Sequence, residues 1–591
     1  MILFNIVNSE HMRFEKKPMV NWYDPKQLAF TGVKTVLSSV FGNFADRREM
    51  QAALDKEGKP FDYSEKDELW FDFVSDLADG FNPTYTVAKT MAQPSITVDG
   101  KELKRGDFLL MGGDEVYPTP EMIEYTNRLK GPFEAAFPKD DSPDADRPDV
   151  FAIPGNHDWY DGLTNFLRLF TQGRSLGNWK TRQTRSYFAI KLPHDYWLIA
   201  VDIQLHADID YPQICYFRDI AQNHFTPETK VILCTAEPSW VFRSFDQKNT
   251  AHDRFKFFID RVLYGKGEPA YEEKNRTITV NTILTGDLHH YARYEEKTKR
   301  GETRQLITSG GGGAFMHPTH TLKETIAPVD GYSAELKSVF PSKESSVRLS
   351  LLNLLFPYFS LTMLTLFGIV HAFTSWILQT KRFVSGETLM EQLAISGFFS
   401  DGIGNACHSI LMALLHNPGA IFLNLLLVGG VVVFTDVKSG YGKWNYLAGV
   451  VHGLLHLVMF YVMLWGFSVL NLSHFDLGIH SLAQVSLFIV EMVLIGGTVS
   501  ALIFGLYLTF SVIVLKNHIT EASSSYRWEG YKNFLRIHLT KDVLTIYPIG
   551  FKKVVTDWKL SKSGDKVVVT GSPINYSLIE KPIEVHHEKT I

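Results

Sequence analysis

Three polar clusters in this chain each come directly after an apolar run, and together they offer carboxylates, a phenol, an amide oxygen and imidazoles. Gly112-Gly113-Asp114-Glu115-Val116-Tyr117 follows Phe108 to Met111. Gly155-Asn156-His157-Asp158 follows Val150 to Ile153, and Gly286-Asp287-Leu288-His289-His290 follows Thr279 to Leu284. A further run, Trp70 to Val74, leads into Asp76 and Asp79. Oxygen and nitrogen donors of these kinds suit divalent cations. Two such cations side by side clamp a phosphate, acidify a water and stabilise the leaving oxygen. In that scheme Asp114 is the bridging carboxylate, because it ends a strand at a Gly-Gly turn. Tyr117 reaches the same ion as a phenolate, Asn156 supplies an amide oxygen and His289 an imidazole. Asp76 and Asp79 offer the first carboxylate. His157 is placed to donate a proton to the leaving group or to hold the phosphate, and Asp158 to orient that imidazole and raise its pKa.

Ligands at the ends of successive buried strands call for an open α/β sheet. At 591 residues the chain is too long for one core. Residues 66–345 read as the domain that holds the clusters, with 1–65 as an N-terminal extension packed on it. From Leu349 the character changes. Leu349–Leu378, His408–Phe434, Tyr446–Leu472 and Val485–Leu515 are almost free of charge, so residues 346–516 read as about four transmembrane helices. Asn417-Pro418 should kink or split the second. Lys337, Lys343, Arg348, Lys438, Lys443 and Lys516 flank the spans on one side, which puts both termini in the cytoplasm; Lys381-Arg382 argues weakly the other way. Residues 517–591 alternate like short strands and read as a soluble β-rich tail. The acidic stretch Asp140–Asp149 reads as a solvated loop.

Sixty-four acids against 59 bases give a formal charge of −5, which provides no basic footprint, and no nucleic-acid partner is expected. Cys215, Cys234 and Cys407 form no CxxC pair, which suits a reducing compartment. Met1 to Arg13 shows no secretory pattern.

The order D…GDxxY…GNHD…GDxHH resembles the calcineurin-like metallophosphoesterase superfamily, and GDxxY its purple acid phosphatase branch. The whole chain is similar to a membrane-anchored subgroup of bacteria and plants. The likeness rests on Thr31-Gly32 to Arg48-Glu49, FDFVSDLADGFNPTY, TSGGGGAFMHPTH at 308–320, and Tyr531 to Arg536. It implies a four-layer αββα sandwich, then an all-α transmembrane bundle, with two divalent ions in the sandwich. The implied activity is hydrolysis of a phosphomonoester, phosphodiester or pyrophosphate by a metal-bound hydroxide. A phosphorylated small molecule or lipid is the implied substrate, with the membrane as a partner and protein partners open.

Three positions depart from the family pattern. Ala236 stands where a His ligand is usual, Asp287 replaces the first His of the last motif, and Ala78 replaces a His or Gly in the first. One ion would keep Asp76, Asp114, Tyr117 and His289. The other would rely on Asp114, Asn156 and Asp287, with Glu237 as a further donor. This oxygen-rich set favours Mn²⁺ or Mg²⁺ over zinc, with Fe or Zn as the open alternatives. The alternative is a binding or regulatory protein on the same fold, impaired in turnover because of Ala236.

Arg182, Arg185, His290 and His317 are candidates for holding the substrate, and Gly310–Gly313 either approaches a phosphate or makes a flexible turn. Within the spans, His371, His452, His456 and Glu491 either satisfy interhelical hydrogen bonds or form a second metal site or proton path.

Overall fold

The computed structural model of the chain describes residues 14–41, 48, 51, 58–140, 142, 146–203, 209–299, 301–329, 331–398, 402–437, 442–563 and 566–586. Met1–Arg13, where no secretory pattern is read, and Lys438, one of the orientation-setting lysines, lie outside the described residues. So do residues 42–47, Glu49 and parts of the Asp140–Asp149 stretch. The chain divides into two compact units. One comprises Met1–Val20, Ala29–Ser346 and Arg527–Ile591; the other comprises Asn21–Leu28 and Val347–Tyr526.

The first unit is built on two nine-stranded sheets. In one, Leu69–Val74, Phe108–Met111, Asp149–Ala152 and Trp179–Thr181 run parallel. In the other, Tyr196–Val201, Lys230–Thr235, Thr279–Thr285 and Thr303–Ser309 run parallel, flanked by antiparallel Phe188–Lys191 and Tyr291–Lys297. The strand Leu69–Val74, sequence LWFDFV, is buried at every position, as strands covered on both faces are. Its period of two sends Phe71 and Phe73 into a core shared with Leu198, Ile232 and Leu284 of the other sheet. Trp70 and Val74 face the opposite way, toward Tyr85 and Met91 of the helix Phe81–Met91. The second sheet's outer face packs on Phe217 of the helix Tyr211–Asn223 and on Phe258. The layers thus run helix, sheet, sheet, helix, as the sequence predicts.

The C-terminal segment differs from its expected form as a separate tail. Lys532–Leu539 pairs antiparallel with Leu69–Val74, placing Leu535 opposite Phe73 and Ile537 opposite Phe71. Val543–Phe551 then extends the same sheet. The reason is apolar area. Leu535 and Ile537 lie in the intersheet core while Phe534 joins the helix-covered face, so both faces of this strand need cover. A free hairpin would leave them in water. Arg536 secures the docking by a two-pronged ion pair with Asp72, at 2.8 and 2.9 Å, inside the protein.

The second unit is helical. Leu361–Gln379, Gly442–His474 and Leu482–Leu515 are long and apolar enough to cross a membrane. Gly402–Leu415 and Pro418–Val433 pass that test only as a pair, bent by 101°. Asn417 at the bend caps the following helix through Ala420 N at 3.2 Å, and Pro418 begins it. The first span starts at Leu361 rather than Leu349. Leu351–Leu355 and Phe356–Phe359 are separate short turns, and Ser360 leaves helical geometry at φ −136°, ψ 68°. Gly368 lets helices meet closely, since a Cβ there would stand 2.4 Å from Val493 Cα. The three cysteines are unpaired.

Candidate metal centre

The polar clusters converge beyond the carboxyl ends of the parallel strands, where open α/β sheets place their sites. Asp76 follows Leu69–Val74, Asp114 follows Phe108–Met111, Asn156 follows Asp149–Ala152, and Asp287 with His289 follows Thr279–Thr285. Asp76, Asp114 and Asp287 all adopt left-handed backbone, at φ 57°, 53° and 65°. Such turns throw a side chain off the strand line toward a common point, at a conformational cost found chiefly at working sites. Gly155 completes the turn beside Asp114, because a Cβ there would lie 2.1 Å from Asp114 Oδ1.

At the centre stands the phenol oxygen of Tyr117. It lies 3.0 Å from Asp114 Oδ2, 3.1 Å from Asp76 Oδ1 and 3.0 Å from His289 Nε2. His289 Nε2 is 3.6 Å from Asp76 Oδ1. Donor atoms around one ion at about 2.1 Å lie roughly 3.0–3.5 Å from each other, so this spacing fits a single cation. Among the described residues no group of three or more His, Cys, Asp or Glu side chains is placed to hold a metal ion by itself. Convergence here depends on the tyrosine.

The surrounding bonds tune these donors. His289 Nδ1 bonds Phe315 O at 2.8 Å, which assigns its proton to Nδ1 and leaves the Nε2 lone pair facing the cluster. Asp76 accepts from Ser75 Oγ at 2.8 Å and from Asp287 N at 2.9 and 3.1 Å. Burial, then Asp114 and Asp287, push the Asp76 carboxyl well above the usual range. Burial raises Asp114 to about 6. Asp287 is raised by burial and by Asp114 and Glu237, and burial raises Glu237 to about 7. Like charges buried together without cations are costly, and a divalent ion relieves that cost. The Oδ1 of Asn156 is buried and accepts no hydrogen bond, so it too suits a cation. The donor set therefore fits divalent metal.

Several predicted roles change. Asp79 is not in the cluster: its oxygens accept from Val20 N at 2.8 Å and Phe315 N at 3.2 Å. Asp158 does not orient His157. It accepts from Gly155 N, Glu115 N and Tyr125 Oη, locking the turn. His157 Nδ1 is instead held by Pro118 O at 2.9 Å, and burial lowers its pKa to about 4. Arg182 pairs with Asp149 at 3.0 Å, at the far end of the strand that leads to Asn156. Arg185 is buried against the rings of Tyr187 and Tyr216. His317 stacks on His289 with centroids 4.0 Å apart, and His290 is buried beside it in sequence. Ala236 is buried against Gly113, at the turn that presents Asp114, and offers no donor.

Sequence reasoning passed over Ser75, Glu115 and Lys532. Ser75 and Glu115 flank predicted ligands directly, and that adjacency was their signal. Glu115 is buried, raised by burial and by Asp158. Lys532 is buried with its ammonium on Ala314 O, and burial lowers its pKa to about 8. No local signal in the sequence brings Lys532 here.

The first unit is thus an α/β sandwich of two sheets with polar ligands gathered at their strand ends. The sequence matches no family model and no curated protein. Among solved structures the chain is similar to one titled "Structure of PhoD", at 12% identity and a TM-score of 0.26, covering 44% of this chain and 59% of that one. It is also similar to purple acid phosphatase PPD1 from yellow lupin (Lupinus luteus) seeds, at 11% identity and a TM-score of 0.29, covering 46% and 48%.

Proposed function

We propose that this chain is a membrane-anchored, metal-dependent phosphoric ester hydrolase acting on a phosphomonoester, phosphodiester or pyrophosphate. The observation that carries it is the Tyr117 phenol oxygen at 3.0–3.1 Å from Asp76, Asp114 and His289, with His289 Nε2 3.6 Å from Asp76 Oδ1. These residues would hold one divalent ion, Mn²⁺ or Mg²⁺, and Asp114, Asn156, Asp287 and Glu237 a second. When bound, such ions neutralise a phosphoryl group and acidify water. The chain's own residues do the positioning. Asp114 would serve both positions, with its Oδ1 held by His157 N at 2.9 Å. His157 donates its Nδ1 proton to Pro118 O, which orients the ring, and the role assigned to Nε2 is to meet the phosphate or leaving oxygen. Anionic substrate favours the protonated ring and prepares it to pass that proton on. Apolar spans suit a phosphorylated lipid or a substrate at the membrane surface, with both termini cytoplasmic.

Full-length protein in detergent should hydrolyse a chromogenic phosphodiester with Mn²⁺ and lose that activity when a chelator removes the metal. Absence of metal-dependent turnover would sink this reading. Ala236 favours a second one, a phosphate-binding regulator with one weak metal position. Under that reading only the Ala236→His variant turns over, with metal content rising from one ion toward two.

A further inference from the structure

The helical unit contains a line of hydrogen-bonded polar side chains that phosphoester chemistry does not use. His371, on Leu361–Gln379, reaches Ser500 Oγ through Nε2 at 2.7 Å. His456 Nδ1 meets the same hydroxyl at 3.1 Å, and its Nε2 stands 3.0 Å from His452 Nε2. The two imidazoles are one turn apart on Asn445–Ser468 and share a face. The His452 ring lies flat on Tyr507 with centroids 4.0 Å apart, and Tyr507 Oη meets His518 Nε2 at 3.1 Å. Along the last long helix, Tyr507 sits about two turns and Ser500 about four turns inside Leu515. The line therefore runs from the end marked by His518 toward the middle of the bundle.

Two features set this apart from ordinary interhelical bonding. The bonds are serial: His456 uses both ring nitrogens, and one hydroxyl serves two imidazoles. At the end near His518, acceptors remain open, since His452 Nδ1 and Asn517 Oδ1 are buried with no hydrogen-bond partner. A metal site is poorly served, because no third His, Cys, Asp or Glu among the described residues converges on the pair.

We propose that the helical unit moves protons along His452, His456, Ser500 and His371, entering from the end that carries His518. One tautomer set that satisfies these bonds places Nε2–H on His452, Nδ1–H on His456 and a Ser500 hydroxyl that donates to His371 Nε2. A proton taken up at His452 Nδ1 releases the Nε2 proton to His456 Nε2. The His456 Nδ1 proton then passes to Ser500 Oγ as the hydroxyl proton passes to His371. Only protons move: the proton arriving at Nε2 charges His371, and the ring then releases its Nδ1 proton away from the line, which completes the transfer. Around the line, Glu521 lies 3.6 Å from His518 Nδ1 and Asp436 donates its amide to His518. Phe460 stacks on His371, and Glu491 is engaged separately by Asn471 at 2.7 Å.

The test is proton flux into liposomes that carry full-length protein, an internal pH-sensitive dye and a potassium diffusion potential. Flux several-fold above protein-free vesicles is expected, falling to the protein-free rate in Ser500→Val and His456→Phe and unchanged in Glu491→Gln. Monodisperse elution and native helix content qualify each variant. If His456→Phe does not fold, Ser500→Val decides. Flux at the protein-free rate in the unmodified chain, or a folded Ser500→Val that conducts normally, overturns the proposal.

Discussion

Asp114 combines two properties that oppose each other. Its backbone is left-handed, at φ 53°, and its carboxyl is buried within reach of Asp76 and Tyr117. Left-handed geometry costs most residues about 1–2 kcal/mol but suits Asp and Asn. Asp114→Asn therefore keeps the turn and removes the charge. Metal content and metal-dependent hydrolysis should vanish in this variant, while the metal-free protein melts higher than its parent because one buried like charge is gone. Residual metal-dependent turnover, with scanning calorimetry showing no rise in melting temperature, would mean the bridge lies elsewhere. His157 acts at a different point. With its Nδ1 fixed on Pro118 O, His157→Ala should lower kcat roughly a hundredfold, the scale of a lost general acid. Metal content by elemental analysis should stay at the parent level, and an unchanged kcat would remove His157 from proton transfer.

Among the elements, the strand Lys532–Leu539 most changes how the chain must be understood. Arg536 is fully buried, holding Asp72 bidentately and also Leu103 O at 3.1 Å. Arg536→Leu would strand the Asp72 charge inside the sheet, a change worth about 3–5 kcal/mol. Chemical denaturation should show that loss, and the double variant Asp72→Asn with Arg536→Leu should recover much of it. No recovery would mean that Arg536 acts through packing alone. This pairing explains what the sequence could and could not reveal. The convergence of Asp76, Asp114, Tyr117 and His289 is legible because each closely follows an apolar strand, a local pattern. Asp79 and Arg182 misled because a nearby backbone amide or carboxylate claims them, which spacing does not show. The partnership of Lys532–Leu539 with Leu69–Val74 joins distant parts of the chain, and nothing local in either segment names the other. The bent pair at Asn417-Pro418 was legible, since proline fixes its own backbone.

For the whole molecule, the helical stretch Val347–Tyr526 is an insertion into a unit that resumes at Arg527. Both ends of that unit touch one short segment: Thr319 N donates to Ser346 Oγ at 2.9 Å, and Met316 N donates to Trp528 O at 3.2 Å. The two cut ends are thus a few residues apart in space, within reach of a flexible linker of about six Gly and Ser residues, which spans roughly 13 Å. Residues 1–346 alone should aggregate, because removing Lys532–Leu539 bares Phe71, Phe73 and the Asp72 charge along an open strand edge. Joining Ser346 to Arg527 through that linker restores the edge strand, Lys532 and the Asp72–Arg536 pair without any apolar span. The expected product is soluble without detergent, unfolds in one cooperative transition and keeps the metal-dependent hydrolysis of the full chain. If it is soluble and folded but inactive, the helical unit contributes to catalysis beyond anchoring. If it aggregates as the 1–346 fragment does, the helices themselves hold the sandwich together.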